Sequence, residues 1–160
     1  MSETTEDAMH IDRRTLLAGA AATAGIAATN RNAKGTTMTE PITPLQTALA
    51  YHQAWSERDL DRAMGYIADN IVCDAPAGRI EGVEAFRAFM TPFVKMLKGT
   101  KIFAGFGDDT TAMLMYDTRT ALVESAPGAE WVTVKNSKIV YDRFLFDRLP
   151  FEEARRKVQR

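Results

Sequence analysis

The sequence predicts a single α+β domain that begins near residue 41. Three observations carry this prediction. Apolar residues recur at intervals of three and four between Pro44 and Gly99, and at every second position from Lys101 onward. The period-two segments are separated by short turn-forming clusters, which join antiparallel neighbours. Helical and strand patterns do not alternate along the chain, so a parallel α/β sheet is not indicated.

The elements follow in order. Pro44 suits the first turn of a helix, where its missing N–H is not needed. Leu45, Ala48, Leu49 and His52, with Tyr51 and Trp55, continue that helix to about Glu57. Leu60, Ala63, Met64 and Ile67 form a second stripe, and Asp59 is placed to cap it. Ile71–Ala75 reads as a strand that Pro76-Ala77-Gly78 ends. Ile80-Glu81-Gly82 leads into a third helix with Val83, Phe86, Met90, Phe93, Val94 and Leu97 as its stripe. Pro92 predicts a kink or break after Met90, and Gly99 closes the helix. Strands are then expected at Lys101–Phe106, Thr111–Leu122, Glu130–Val134 and Ile139–Asp147. The turns between them are Gly107-Asp108-Asp109, Ala126-Pro127-Gly128 and Lys135-Asn136-Ser137. Trp55, Phe86, Phe89, Phe93, Met113, Met115, Phe144 and Phe146 are expected to be mostly core.

Bulk properties exclude several function classes. A chain of 160 residues accommodates one ordinary domain. The formal net charge of −1 supplies no field for nucleic acid or an anionic membrane. The basic cluster Arg155, Arg156 and Lys157 reads as the solvated end of a helix. Cys73 is the single cysteine, which rules out an internal disulfide. His10 and His52 stand far apart, and no His, Cys and carboxylate set has metal-ligand spacing. Neither a metal nor a cofactor is expected.

Residues 1–40 differ from the rest. Asp12-Arg13-Arg14-Thr15-Leu16-Leu17 precedes an alanine-rich run to Ala28, the form of a twin-arginine export signal. That run of about 13 residues is too short for a membrane span, which needs about 20. Ala22-Thr23-Ala24 has the small-x-small form of a cleavage site. Two other readings stand beside export: translation from Met38, which leaves the protein cytoplasmic, and a disordered tail. In each case residues 1–40 are a leader, 41–152 the domain and 153–160 a C-terminal tail.

The stretch Ala50–Phe89, AYHQAWSERDLDRAMGYIADNIVCDAPAGRIEGVEAFRAF, carries a resemblance. It has a helix ending in a turn with Asp-Leu, the junction Ala68-Asp69-Asn70, a strand ending in a Pro-Gly region, and a glycine before a helix with Ala-Phe-x-x-Phe. With Trp131-Val132-Thr133-Val134, Lys138-Ile139 and Phe146-Asp147, it resembles the nuclear transport factor 2-like superfamily, in particular its SnoaL-like domains, over about residues 43–151. The resemblance implies a cone-shaped, curved antiparallel β-sheet wrapped around three N-terminal helices and enclosing an apolar pocket. It also implies a homodimer formed through the outer sheet face, and a small apolar ligand. The fold hosts ketosteroid isomerases, polyketide cyclases, limonene-epoxide hydrolases, dehydratases and non-catalytic binding modules, so it does not by itself fix a function.

Candidate site residues come from the same resemblance. Tyr51 falls on the oxyanion-hole tyrosine of the isomerases, and Glu130 on the strand position of their protonated acid. Ala75 falls where the isomerase base belongs, and Asp74 is one residue early. In a strand that offset turns the side chain to the other face, and only a bulge would return it. Epoxide hydrolases of this fold use an Asp-Arg-Asp arrangement. Asp117, Arg119 and Asp142 offer those residue types on neighbouring strands, although the family's last-strand Asp aligns with Phe144. The leading expectation is a cofactor-independent enzyme of proton transfer: isomerisation, cyclisation, dehydration or epoxide opening. Glu130 and Tyr51 would polarise an oxygen, and Asp74, Asp117 or Asp142 would move the proton. A non-catalytic ligand-binding or dimerisation module, or a subunit of a larger enzyme docked through the sheet face, are the competing expectations. Cys73 and His52 are expected to be packed residues.

Overall fold

The computed structural model describes residues 42–158, and the leader lies outside the described residues. The element order is α1 (Pro44–Ser56), α2 (Leu60–Met64), β1 (Ile67–Ala75), β2 (Gly78–Glu81), α3 (Val83–Met96), β3 (Leu97–Gly107), β4 (Thr111–Thr120), β5 (Ala126–Lys135), β6 (Lys138–Phe146) and α4 (Leu149–Val158). The strands form one six-stranded sheet in the order β2-β1-β6-β5-β4-β3. Only the β1–β6 pairing is parallel. Register shifts interrupt the β1–β6, β3–β4 and β5–β6 ladders, and such bulges bend a sheet. α1 and α3 pack on the inner face, which makes this an α+β fold built on one curved sheet.

α1 is closed at both ends by its own sequence. Thr43 Oγ1 accepts from the Gln46 N–H at 3.2 Å, and Gln46 Oε1 accepts from the Thr43 N–H at 2.9 Å, a capping box ahead of Pro44. At the other end Arg58 takes φ 64°, so that its N–H reaches Trp55 O and the Asp59 N–H reaches Ala54 O. These two bonds satisfy carbonyls that the helix would otherwise leave open. Thr43→Ala removes the box and should cost about 1 kcal/mol in urea unfolding, with the slope unchanged. An unchanged midpoint would mean that the cap is irrelevant once α1 is docked. Asp59 caps α2 as expected, its Oδ1 accepting from the Arg62 N–H at 2.9 Å.

The structure departs from the expected elements in five places. β1 starts at Ile67, four residues early, and Gly78–Glu81 forms an edge strand paired with it. α3 runs unbroken through Pro92 to Met96. Pro92 lies in the last turns, and the buried Phe86, Met90 and Val94 hold the helix across the one missing hydrogen bond. Leu97 ends α3 and begins β3 with no loop between them, so Gly99 is a strand residue. Ala126-Pro127-Gly128 opens β5, and the chain reverses over residues 121–125 instead, with the Thr120 N–H bonded to Val123 O. Pro127 is tolerated there because β6 first pairs at Gly128, leaving it beside β4 alone. Finally, α4 extends to Val158 across the expected boundary at 152.

The two faces of the sheet also sort differently from expectation. Trp55, Phe86, Ile71, Leu97, Leu114 and Ile139 are fully buried between helices and sheet. Met113 and Met115, expected in the core, lie on the outer face and are about half exposed. In β4 the inward set is Ala112, Leu114, Tyr116, Thr118 and Thr120.

Candidate active site

A cavity of about 450 Å³ lies between the inner sheet face, α1, α3 and α4. Its walls are aromatic and aliphatic, including Trp55, Phe89, Phe93, Phe144 and Phe146. Four of its polar groups converge: Tyr51 from α1, Tyr116 from β4, Glu130 from β5 and Asp142 from β6.

Strand geometry places each of these. In β5, Glu130 alternates inward with Val132 and Val134, while Trp131 faces out. In β6, Asp142, Phe144 and Phe146 turn inward. Ile139 is also buried, three residues before Asp142, which strict alternation does not allow. The register shift between Thr133↔Tyr141 and Val134↔Ile139 inserts one residue there. Continued alternation from Ile139 would aim Tyr141 into the cavity and Asp142 at solvent, and the bulge reverses both. Val132 pairs with Asp142 and Glu130 with Phe144, so the two carboxyls are diagonal neighbours on adjacent strands. Tyr116 lies opposite Gly128, where an added Cβ would sit 3.4 Å from its ring. The glycine thus makes room for the phenol.

The electrostatics follow from burial. Glu130 and Asp142 are 5% and 1% exposed, and the two carboxyls interact directly. Glu130 Oε2 and Asp142 Oδ1 have no donor among the described residues, and neither group forms an ion pair with one. Burial pushes the Asp142 carboxyl up to about 7, the Glu130 hydrogen bond acting against it. Burial first, and then the Asp142 charge, hold Glu130 well above the ordinary carboxylate range. Burial thus holds both carboxyls toward their protonated forms, and the two titrate as a pair. The phenols of Tyr51 and Tyr116 are raised by burial and then by these two carboxyls, so both stay protonated and able to donate. The Cys73 thiol points at Asp142 Oδ2 from 4.0 Å; burial raises its pKa, which leaves it no thiolate character. His52 is packed between the rings of Trp55 and Tyr116, with Nε2 2.8 Å from Thr100 Oγ1, and burial lowers its pKa to about 4.

Of the five expected site residues, Tyr51, Glu130 and Asp142 meet at the cavity. Asp74 and Asp117 do not. β1 carries no bulge at Asp74, which stays on the outer face, accepting from the Tyr141 hydroxyl at 2.6 Å and lying 3.5 Å from Arg79 Nη1. Asp117 faces outward with Met113 and Met115, and Ser125 Oγ donates to it at 2.8 Å. Arg119 is exposed. The family resemblance does not mark Tyr116, although the β4 alternation Leu114, Tyr116, Thr118, Thr120 carries its signal. Among the described residues no group of three or more His, Cys, Asp or Glu is placed to hold a metal ion.

Comparison with known proteins agrees with this architecture. No curated protein matches the chain. Among solved structures, a protein from Kribbella flavida DSM 17836 is similar at 54% identity and a TM-score of 0.72, covering 74% of this chain and 98% of that one. An LEH-like epoxide hydrolase of M. tuberculosis is similar at 15% identity and a TM-score of 0.58, covering 69% of this chain and 87% of that one. A steroid delta-isomerase from Pseudomonas aeruginosa is similar at 14% identity and a TM-score of 0.57, covering 71% of this chain and 89% of that one. The last two show a shared fold alone. Residues 48–141 match the SnoaL-like domain family, and the chain belongs to that family.

Proposed function

We propose that this SnoaL-like domain is a cofactor-independent enzyme of proton transfer acting on an apolar, oxygen-bearing small molecule. The observation that carries this reading is the buried Glu130–Asp142 pair at a cavity wall beside the Tyr51 and Tyr116 phenols, with burial raising the pKa of all four groups. Such a pair supplies a base and an acid at once. Asp142 takes a proton from a carbon or from a water molecule. Glu130 gives its proton to the substrate oxygen, and the Tyr51 and Tyr116 hydroxyls stabilise charge developing there. Isomerisation, cyclisation, dehydration and epoxide opening all fit this exchange, and the apolar walls favour a carbon-rich framework.

A binding module without turnover is the second reading. It draws on Ala75 standing where the family resemblance assigns the isomerase base, with Asp74 turned to the outer face. The two part in one experiment. Neutral apolar epoxides, β,γ-unsaturated ketones and β-hydroxy ketones are incubated with the wild type and with Asp142→Asn. Conversion that the variant loses supports the enzyme. Saturable binding of these compounds without conversion at any pH from about 6 to 9 leaves the binding module.

The domain is also proposed to pair with a second copy through the outer sheet face. Phe106, Met113, Met115, Trp131 and Leu145 are exposed there on β3 to β6, with Phe106↔Met113↔Trp131 in direct register. A contiguous apolar surface of this kind is unusual on a monomer, and a stable interface needs about 800 Å² from each partner. Trp131→Glu places a charge at its middle and should give a monomer in sedimentation velocity, with unchanged circular dichroism. A monomeric wild type would sink the dimer.

A further inference from the structure

The cavity lining holds a buried acid pair and a separate set of solvent-accessible charged side chains. The acid pair marks the closed, buried part, and no cation of the described residues answers it there. The residue before α4, Arg148, and Glu152 and Arg155 of α4 also line the cavity. Their spacing of four and three puts them on one side of the helix. Phe151 fixes that side: it is buried, with its ring 5.5 Å from Phe146. The three charged residues are solvent-accessible, so they mark the opening. They are not equivalent. Arg148 is engaged, its Nη1 donating to Pro76 O at 3.3 Å and its Nη2 lying 3.4 Å from Glu152 Oε1. Arg155 forms no ion pair with a described residue.

This polarity restricts what enters and in which direction. An anionic group driven to the closed end would be buried against a pair that already resists carrying its own charge. The same group at the opening meets an exposed guanidinium that pairs with no described residue. We infer that the ligand is an amphipathic anion, whose acidic group rests at the rim against Arg155 while its oxygen-bearing apolar body reaches Tyr51 and the acid pair. This rests on the proposed function for the closed end and adds the substrate class and its orientation. Arg155 is then a specificity residue, remote from the reacting atoms.

Two fluorescent probes test it on the full chain. 1-Anilinonaphthalene-8-sulfonate carries an anionic group, and N-phenyl-1-naphthylamine is the same framework without it. The anionic probe should bind more tightly, by a margin that shrinks as salt is added. Arg155→Glu should weaken the anionic probe about tenfold and the neutral probe less than about twofold, with Arg155→Ala intermediate. Arg155 is exposed on the last turns of α4, and retained binding of the neutral probe shows that the cavity is intact. Equal losses for both probes, or an anionic isotherm that Arg155→Glu leaves unchanged, overturns the inference and leaves the proposed function standing. Failure of the neutral probe to bind the wild type overturns both.

Discussion

Replacing Asp142 with asparagine should make the protein more stable by about 2 kcal/mol at about pH 8 and flatten the dependence of its stability on pH. The carboxyl is held up to about 7 in the fold, against an ordinary value of 3.8, because burial disfavours its charge. Below the ordinary value both the folded and the unfolded chain carry the proton, and the fold keeps its full stability. As pH rises from there to about 7, the unfolded chain releases a proton that the folded chain retains. Stability then falls by about 1.4 kcal/mol per pH unit for each such group. Above about 7 the folded carboxyl ionises too, and its contribution levels off. The loss from Asp142 has an upper bound of about 4 kcal/mol, since water entry and relaxation weaken it. Asparagine removes that loss but brings two amide hydrogens into a site with few acceptors, a cost of about 1–3 kcal/mol. Glu130 is raised in the same direction and continues the decline to higher pH. Asp108, lowered to about 2 by its N–H and hydroxyl donors, acts in the opposite sense but only in acid, outside this window. Urea unfolding of wild type and variant at intervals of pH measures the effect. A wild-type stability that is flat or rising between about pH 5 and 8 would mean that the pair is not charged at the protein's expense.

A polar pair kept at that cost is the kind of local conflict expected at a functional site. Its legibility in the sequence differs between its members. Glu130 stands out because the family resemblance assigns a protonated acid to its strand position and because β5 alternates cleanly through Val132 and Val134. Asp142 is legible only as a neighbour of Phe144 and Phe146. The apolar pattern from Ile139 points it outward, and the inserted residue that turns it inward leaves no mark in composition. Asp74 and Asp117 show the converse. Both are carboxylates on the right strands, but alternation holds one with Tyr141 and the other with Met115 on the outer face. β4 misleads for a further physical reason. Apolar residues are normally read as inward, yet here the outer face carries Met113 and Met115, whereas the inner face carries Tyr116 and Thr118 around a cavity. The helices were more legible, because Pro44, Asp59 and the Phe86, Met90, Val94 stripe act locally, within a turn or two of each residue. Pro92 is the exception, since tertiary packing overrides its local effect.

Loss of either carboxyl should reduce turnover far more than it alters binding, and the two losses should leave different pH profiles. Asp142→Asn removes the proton acceptor and should lower kcat/KM by about 10³-fold. Glu130→Gln retains an N–H donor toward the substrate oxygen but no transferable proton, and should cost about 10²-fold. In the wild type the active form holds one proton on the pair. Activity should therefore rise with pH through about 7, as Asp142 ionises, and fall only where Glu130 gives up its own proton. Glu130→Gln should abolish the falling limb and keep the rising one. Asp142→Asn should abolish the rising limb. Tyr51→Phe removes a donor to the developing oxyanion without touching either carboxyl, so it should lower the whole profile by about 10-fold or more and move neither limb. The limbs matter more than the magnitudes, because a pair with no part in the proton transfer would shift no limb selectively. If Asp142→Asn keeps kcat/KM within about threefold of wild type on a substrate that the wild type converts, the proton is carried by another group. The acid pair would then be a recognition element for ligand hydrogen bonds, placed at the cavity wall for affinity and not for chemistry.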